Sequence, residues 1–600
     1  MEEEQLFPEG NITHSLYSLL RACQRGQRFA VVGSHLDIDE SITPFLNKLY
    51  VDETSEDELL NEFFVNNYQE DGKLLIISGS AGDGKSALLS KGYISAQAAG
   101  HTSVTESRIN MDATAADTKH QRYQERLHDF FDRVLPDVET GSGPRSGLAI
   151  NYGLAVDFFQ RGGAADKSTD YQNVWKALQK SREKTDGIYE SDSLVVINLS
   201  HRELYSTHPD SFGEGLLRKM LERFGVDNEA ESPLYDAYVR EIENCPASDQ
   251  CPLHYNVDQF ASPDVRKRVA EVIAGWNVIT GSYFNPRSIL DITASILLPD
   301  VSPDMIDQDA ECPIGEAIEA GDLTPSIDDL LWNRVFDVLA EADSQMANQT
   351  DPLAQSSIEL DTKVLSWRGK HAELSEQLSN PPGAPNADII QLIKTTLRYQ
   401  YLSEAEDIVG LLEKESFTEY QAALTLLNHD NPPQASKLGN KVGRLFSTVK
   451  NSLRGWSGQQ RGSNEIEFVD ARRSPAYRFI SRWGDPTVDT DHSERETRKQ
   501  TVPGRISIHL NNPTTNDGEP IRIPLTYELY LLMQQINDGY TPSAVDIEHS
   551  EAVTQIKSKL SDLTRKHSFV KVINRSNSRE FTVEQNEYGS PTVHRQGRWE

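Results

Sequence analysis

The sequence predicts an α/β fold with a parallel sheet flanked by helices, a helical middle region and a smaller α+β C-terminal domain. Three observations carry that prediction. Short apolar runs at 74–78, 147–151 and 194–198 alternate with segments of helical periodicity, which is how parallel strands joined by crossover helices read. The first of these runs leads directly into a glycine-rich octapeptide and then a helix-like segment, a strand–turn–helix unit. The last third changes character, because Arg505-Ile506-Ser507-Ile508-His509-Leu510 alternates as a half-buried strand does and Phe569-Val570-Lys571-Val572-Ile573 resembles another.

Taken in order, residues 1–70 form an N-terminal segment of mixed periodicity with one apolar stretch, Phe29-Ala30-Val31-Val32-Gly33. Residues 71–298 hold the sheet. Leu74-Leu75-Ile76-Ile77-Ser78 reads as a buried strand and Ser86–Lys91 as the start of the next helix. Arg108-Ile109-Asn110-Met111-Asp112 is a weaker strand, and Tyr123, Leu127, Phe130, Phe131 and Val134 fall on one helical face. Gly147–Asn151 and Leu194–Asn198 are further strands, with a helix through Val156–Phe159 between them. A Pro- and acid-rich stretch at 299–327 ends this unit. A mostly helical domain spans 299–455, broken at 380–385 and at Asn431-Pro432-Pro433. Residues 456–600 form the α+β domain, with a helix over Leu525–Met533. The polar, charged stretch 486–503 reads as a mobile loop.

The octapeptide is Gly79-Ser80-Ala81-Gly82-Asp83-Gly84-Lys85-Ser86, which fits G-x-x-x-x-G-K-[ST]. Such a bend aims backbone N–H groups at a polyphosphate, and the helix start that follows adds partial positive charge. Lys85 would reach the β- and γ-phosphates of ATP and the Ser86 hydroxyl would ligate Mg²⁺. The expected fold is therefore that of a P-loop NTPase with an AAA/ASCE-like sheet.

Hydrolysis also needs an acid on the Mg²⁺ and a polar group near the attacking water. The two best strands end in Asn151 and Asn198 rather than in acids. Asp112, ending the weaker strand, is the nearest acid in a suitable place, with Asp117 a turn later; the alternative is a helix cap with Thr114. Asn198 occupies the position where ATPases of the AAA type sense the γ-phosphate, with His201, Arg202 and Glu203 just behind it. Arg287, in Asn285-Pro286-Arg287, sits where a second sensing arginine stands in such enzymes. For Arg202 and Arg287 the alternative is a surface ion pair. No nuclease motif is present.

The 600 residues carry 92 acids against 59 Lys and Arg, a net charge of −33. Acid spread along the whole chain is the composition of a protein from a salt-loaded, halophilic cytoplasm, where strong screening removes any message about partners. The clearest departure is 437–482, with ten bases (Lys437, Lys441, Arg444, Lys450, Arg454, Arg461, Arg472, Arg473, Arg478 and Arg482) against three acids, and Trp456, Tyr477 and Trp483 among them. Cations with aromatics can follow a phosphate backbone and stack on bases, so DNA is a candidate partner. The alternative is internal pairing with the acidic helical region. Cys245, Cys251 and His254 invite a zinc reading, but C-x₅-C-x₂-H has no fourth ligand nearby and loop cysteines are the alternative. Four cysteines make no disulfide framework, the N-terminus has no apolar leader core, and no apolar run is long enough for a membrane, so a cytoplasmic protein is expected.

In order along the chain, Ile77–Ser86, Asn110-Met111-Asp112-Ala113-Thr114, Leu148–Leu154, Val196-Ile197-Asn198-Leu199, the Cys245 and Cys251 stretch, and Leu525–Tyr540 ending Asn537-Asp538-Gly539-Tyr540 resemble the DNA phosphorothioation-dependent restriction protein family DptF. The resemblance implies an ATP-binding component of a multi-subunit system that acts on DNA lacking a sulfur-modified backbone. It carries nucleotide binding over to Gly79, Gly84, Lys85 and Ser86, and makes Asn151 a family trait.

Overall fold

In the computed structural model, β1 (Leu74–Gly79) is the central strand of a five-stranded sheet. The structure describes residues 14–24, 43–51, 54–113, 123–184, 186–227, 232–307, 310–342, 349–354, 358–403, 408, 410–428, 435–455, 465–467, 476–482, 487–498, 504–511, 521–540, 569–574, 576–585 and 590–596. The apolar stretch 29–33 and the break at 431–433 lie outside them. The chain divides into two units, one of Met1–Ser206, Ser211–Trp276 and Tyr283–Leu412, the other of Thr207–Asp210, Asn277–Ser282 and Glu413–Glu600.

In the first unit, α1 (Leu16–Cys23) precedes the sheet and α2 (Lys85–Ala98) follows β1. Then come β2 (Ile109–Asn110), α3 (Tyr123–Thr140), β3 (Ser146–Asn151), α4 (Thr169–Glu183), β4 (Ile188–Glu190) and β5 (Leu194–Asn198). The strand order is β2-β3-β1-β5-β4. β1 runs parallel to β3 and β5, and β2 parallel to β3, but β4 is antiparallel to β5. The sheet is therefore mixed, mostly parallel, rather than wholly parallel. A three-residue edge strand on a short turn can return only antiparallel, since a parallel return needs a long crossover.

The central strands β1, β3 and β5 each carry a buried apolar run because both faces are covered. Leu74, Ile76, Leu148, Ile150, Leu194 and Val196 share one core with Leu127, Phe131 and Val134 of α3, with Phe158 and Phe159, and with Val174 and Leu178 of α4. Leu75, Ile77, Ala149, Val195 and Ile197 lie in the other, with Phe63, Phe64 and Leu88 and Leu89 of α2. Further helices complete the unit: α5 (Tyr235–Asn244), α6 (Pro252–Phe260), α7 (Pro286–Leu297), α8 (Pro313–Ala320), α9 (Leu331–Ala342) and α10 (Ile389–Ser403). The acid-rich stretch 299–327 carries α8 and lies inside the same unit.

The second unit holds α11 (Glu415–Asn428), α12 (Ala435–Gly455), β6 (Glu465–Glu467), β7 (Tyr477–Arg482), β8 (Thr487–Val488), α13 (Thr490–Arg498), β9 (Ile506–Asn511), β10 (Ile521–Leu525), α14 (Tyr527–Asn537), β11 (Phe569–Asn574), β12 (Glu580–Gln585) and β13 (Pro591–Gln596). They form two antiparallel sheets, β10-β9-β8 and β13-β12-β11-β7-β6. α12 buries Val442, Leu445, Val449 and Leu453, the apolar face its spacing predicts. The stretch read as a mobile loop contains α13. Asp489 accepts the His492 N–H at 3.0 Å as its cap, and the buried Ser493 and Thr497 hydroxyls accept the backbone N–H groups of His509 and Ser507 at 2.9 and 3.0 Å. Hydrogen bonds to β9, rather than apolar side chains, hold this helix down, so its polarity concealed it.

Phe131 is fully buried, with the rings of Phe158, Phe159 and Tyr171 centred 5.8, 5.5 and 5.5 Å away. Phe131→Ala is expected to lower the unfolding free energy of the first unit by about 3–5 kcal/mol in urea titrations. Ile390→Ala, at a side chain 61% exposed, should change it by no more than ~0.5 kcal/mol.

Candidate functional site

The octapeptide forms the turn from the carboxyl end of β1 into α2. The bend depends on Gly82 and Gly84, whose φ values of 88° and 90° disfavour any residue with a Cβ. A Cβ on Gly82 would lie 2.8 Å from the Asn285 amide nitrogen and 3.1 Å from the Arg287 Cβ. The amino end of α7 is therefore seated directly on the loop. Asn285 caps α7 by accepting the Ser288 N–H at 2.9 Å, and its amide nitrogen donates to the Ala81 carbonyl at 2.9 Å. The Arg287 N–H donates to the Gly82 carbonyl at 3.3 Å. One side chain thus starts a helix and ties down the turn.

Inside the loop, the Lys85 ammonium donates to the Ser80 carbonyl. Asp83, buried, accepts the Ser80 N–H and the Tyr283 hydroxyl, and Ser200 Oγ donates to it at 3.4 Å. Burial pushes the Lys85 pKa down, opposed by the charges of Asp83 and Asp112. The Ser86 hydroxyl donates to the Met111 carbonyl at 2.7 Å. Its proton is thereby engaged and its oxygen lone pairs stay available to a cation.

The strand pairing brings most of the sequence-predicted residues to this loop. Asn151 is the register partner of Gly79 on one side and Asn198 that of Ser78 on the other. Asn198 Oδ1 accepts the Ser200 N–H at 3.2 Å, capping a short turn. Asn151 begins a helical turn without a side-chain cap bond. Asp112 follows the two-residue edge strand β2 and is half-buried; its charge acts on Lys85, and its neighbour Met111 holds Ser86. Asp117 and Thr114 lie outside the described residues.

A cavity of ≈ 180 Å³ opens beside the loop, lined by Gly82, Gly84, Lys85 and Ser86, by Arg202 and Arg287, and by an apolar wall. That wall is Leu49, Tyr50, Val51, Leu216, Met220 and Leu290. Arg202 pairs with the buried Glu56 at 3.2 Å, an ion pair as its alternative reading supposed but not a surface one, and it also lines the cavity. Arg287 Nε is buried with no hydrogen-bond partner, so a polar donor stands unused beside the lysine. The lining combines the cations Lys85, Arg202 and Arg287 with apolar side chains, a mixture that suits an anionic ligand with an apolar part. Nothing in the sequence marked the wall, whose residues come from three separated segments. The Asn-Pro start of α7 was legible, but the contact of the Asn285 amide with the loop was not.

Elsewhere, Arg444 of the basic segment pairs with Glu415 and Glu419 of α11, which matches the internal-pairing alternative for that residue. Tyr477 is exposed, whereas Trp456, Arg461, Arg472, Arg473 and Trp483 lie outside the described residues. The cysteine set does acquire a fourth donor, contrary to expectation: Cys312 joins Cys245, Cys251 and His254. No helix among the described residues is long and apolar enough to cross a membrane. No protein-family model, curated protein or solved structure matches the chain.

Asn285→Ala removes both the α7 cap and the loop tie. It is expected to lower stability in urea unfolding by about 1–3 kcal/mol, with Asn285→Ser, which keeps a cap acceptor, losing less.

Proposed function

We propose that this chain binds Mg²⁺·ATP in the cleft at Gly79–Ser86 and serves as the ATP-binding component of a DNA phosphorothioation-dependent restriction complex acting on unmodified DNA. The observation that carries nucleotide binding is the convergence of Lys85, Arg202 and the unpartnered Arg287 Nε on a glycine turn backed by a helix start. In this reading Lys85 and the loop N–H groups hold the phosphates, Ser86 and Asp112 hold Mg²⁺, Arg287 senses the terminal phosphate, and the apolar wall receives the base. Asn151 and Asn198 flank the reacting phosphate, where amides orient water but remove no proton. The sheet is read as an AAA/ASCE-like P-loop domain. The link to DNA and to partner subunits rests on the DptF resemblance and on the basic segment 437–482, and a cytoplasmic location follows from the same reading.

A second reading is a nucleotide-dependent scaffold or signalling NTPase with slow hydrolysis and no direct DNA contact. It is favoured by the amides at both strand tips and by the placement of Asp112 beyond a two-residue edge strand.

Steady-state ATPase measurements with and without unmodified DNA separate these readings. Under the first, DNA stimulates turnover, and Lys85→Ala abolishes it by about 10²-fold or more. ATP binding without turnover, or turnover indifferent to DNA, would favour the second. Affinity for ATP, measured by calorimetry, is expected to fall as pH rises toward the lowered Lys85 pKa, at a lower pH than for an ordinary lysine. Replacing Arg472 and Arg473 by Glu should weaken DNA binding; unchanged binding would remove that segment from the DNA-binding reading.

A further inference from the structure

Three cysteines and a histidine, far from any sequence pattern for a metal, meet inside the first unit. Cys245 follows the last residue of α5, Cys251 stands at the N-cap of α6, His254 lies in the first turn of α6, and Cys312 stands at the N-cap of α8. All four are buried, with one donor atom from each lying within 4.8 Å of the others. Cys312 Sγ is 3.2 Å from Cys245 Sγ and 3.9 Å from His254 Nε2. Four donors at zinc bond lengths of ~2.3 Å to sulfur and ~2.0 Å to nitrogen would stand roughly 3.5–3.8 Å apart in a tetrahedron. The observed set spans that range. Donors within 4.8 Å of one another would fit around one ion and stand too close together for a multi-iron cluster.

Two independent features mark this as a built site. Both N-cap cysteines occupy positions that favour Ser, Thr, Asp or Asn, yet neither thiol makes a cap hydrogen bond. The thiols turn instead toward one another, at helix starts whose partial positive charge favours thiolate. Gly315, in the first turn of α8, has no room for a side chain, since a Cβ there would lie 2.2 Å from Cys245 Sγ and 2.9 Å from Cys312 Sγ. Glu241, completely buried, places one carboxylate oxygen 3.5 Å from His254 Nε2 while the other accepts the Leu16 N–H at the start of α1. Nε2 is also the nitrogen nearest Cys312, so Glu241 does not occupy the ring's other nitrogen, Nδ1, which is buried with no hydrogen-bond partner.

We propose that Cys245, Cys251, His254 and Cys312 bind one Zn²⁺ in a closed Cys₃His site that fastens α5, α6 and α8 together. Three soft thiolates and an imidazole in a tetrahedron select zinc over hard divalent cations. Full burial and four protein donors leave no open coordination position, so the ion is structural rather than catalytic. The site is independent of the nucleotide reading, and its residues do not line that cleft.

The test is metal analysis of the full-length chain purified under reducing conditions. One equivalent of zinc per chain is expected in the wild type and in Cys23→Ser, whose thiol lies outside the site. Cys312→Ser and Gly315→Ala should contain less than a tenth of it, and chelation should lower the thermal midpoint of the wild type. If those variants do not fold, exchange of the wild-type ion for Co²⁺ decides the matter, through the visible absorption of tetrahedral thiolate-bound cobalt. Zinc-free protein that gives no such absorption would overturn the proposal, as would one equivalent of iron or a Cys245–Cys312 disulfide in freshly purified protein.

Discussion

Leu74-Leu75-Ile76-Ile77 is apolar on both faces, and the architecture around the cleft follows from burying it twice. A strand that exposes neither face must have helices above and below and a strand on each side. β3 and β5 supply the strands; α3 and α4 cover one face and α2 the other. The end of such a strand is the one place where its chain can emerge between two neighbours and turn. Gly79 and Ser78 therefore sit level with Asn151 and Asn198, and whatever lies on that turn has these two amides on either side. The turn holds its own shape only in part: Asp83 and Lys85 bind the Ser80 N–H and carbonyl, while Gly82 and Gly84 give it freedom as well as curvature. α7 supplies the missing restraint by taking two of the loop's carbonyls.

What could be read in the sequence was whatever is written locally. β1, β3 and β5 are continuous apolar runs, α2 follows the loop at once, and α12 shows its buried face in its spacing. The octapeptide carries its own chemistry, and pairing register placed the strand-tip residues where strand order alone suggested. The misses have other causes. β4 has three residues, Ile188-Tyr189-Glu190, too few for any periodicity. α13 is held by hydroxyls that accept N–H groups from a strand beyond it in the chain. Cys312 lies 58 residues beyond His254, and the cleft wall is assembled from Leu49 to Leu290. Cys312 and the wall are fixed by contacts between distant segments, which composition and spacing do not record, whereas β4 is too short and α13 too polar to show.

The cations of the cleft have to be set against the charge of the whole. Lys85, Arg202 and Arg287 line it in a chain of net charge −33, with Glu56 paired to Arg202 and the charges of Asp83 and Asp112 acting on Lys85. A polyanion approaching from afar meets repulsion, and attraction takes over only within the low-dielectric walls, where field lines are focused. Screening at high ionic strength shortens the repulsive reach to about 3 Å at 1 M salt while weakening buried contacts much less.

The bond from Asn285 to the Ala81 carbonyl joins residues 204 apart in the chain, and that separation is also an interval of time. At a synthesis rate of about 5–20 residues per second, β1 and its turn exist for roughly 10–40 s before the helix that grips them has been made. Through that interval the turn has its glycines but not its restraint, and the apolar wall contributed by Leu216, Met220 and Leu290 is also still to come. The glycine turn is thus among the first parts of the cleft to be written and among the last to acquire its final form.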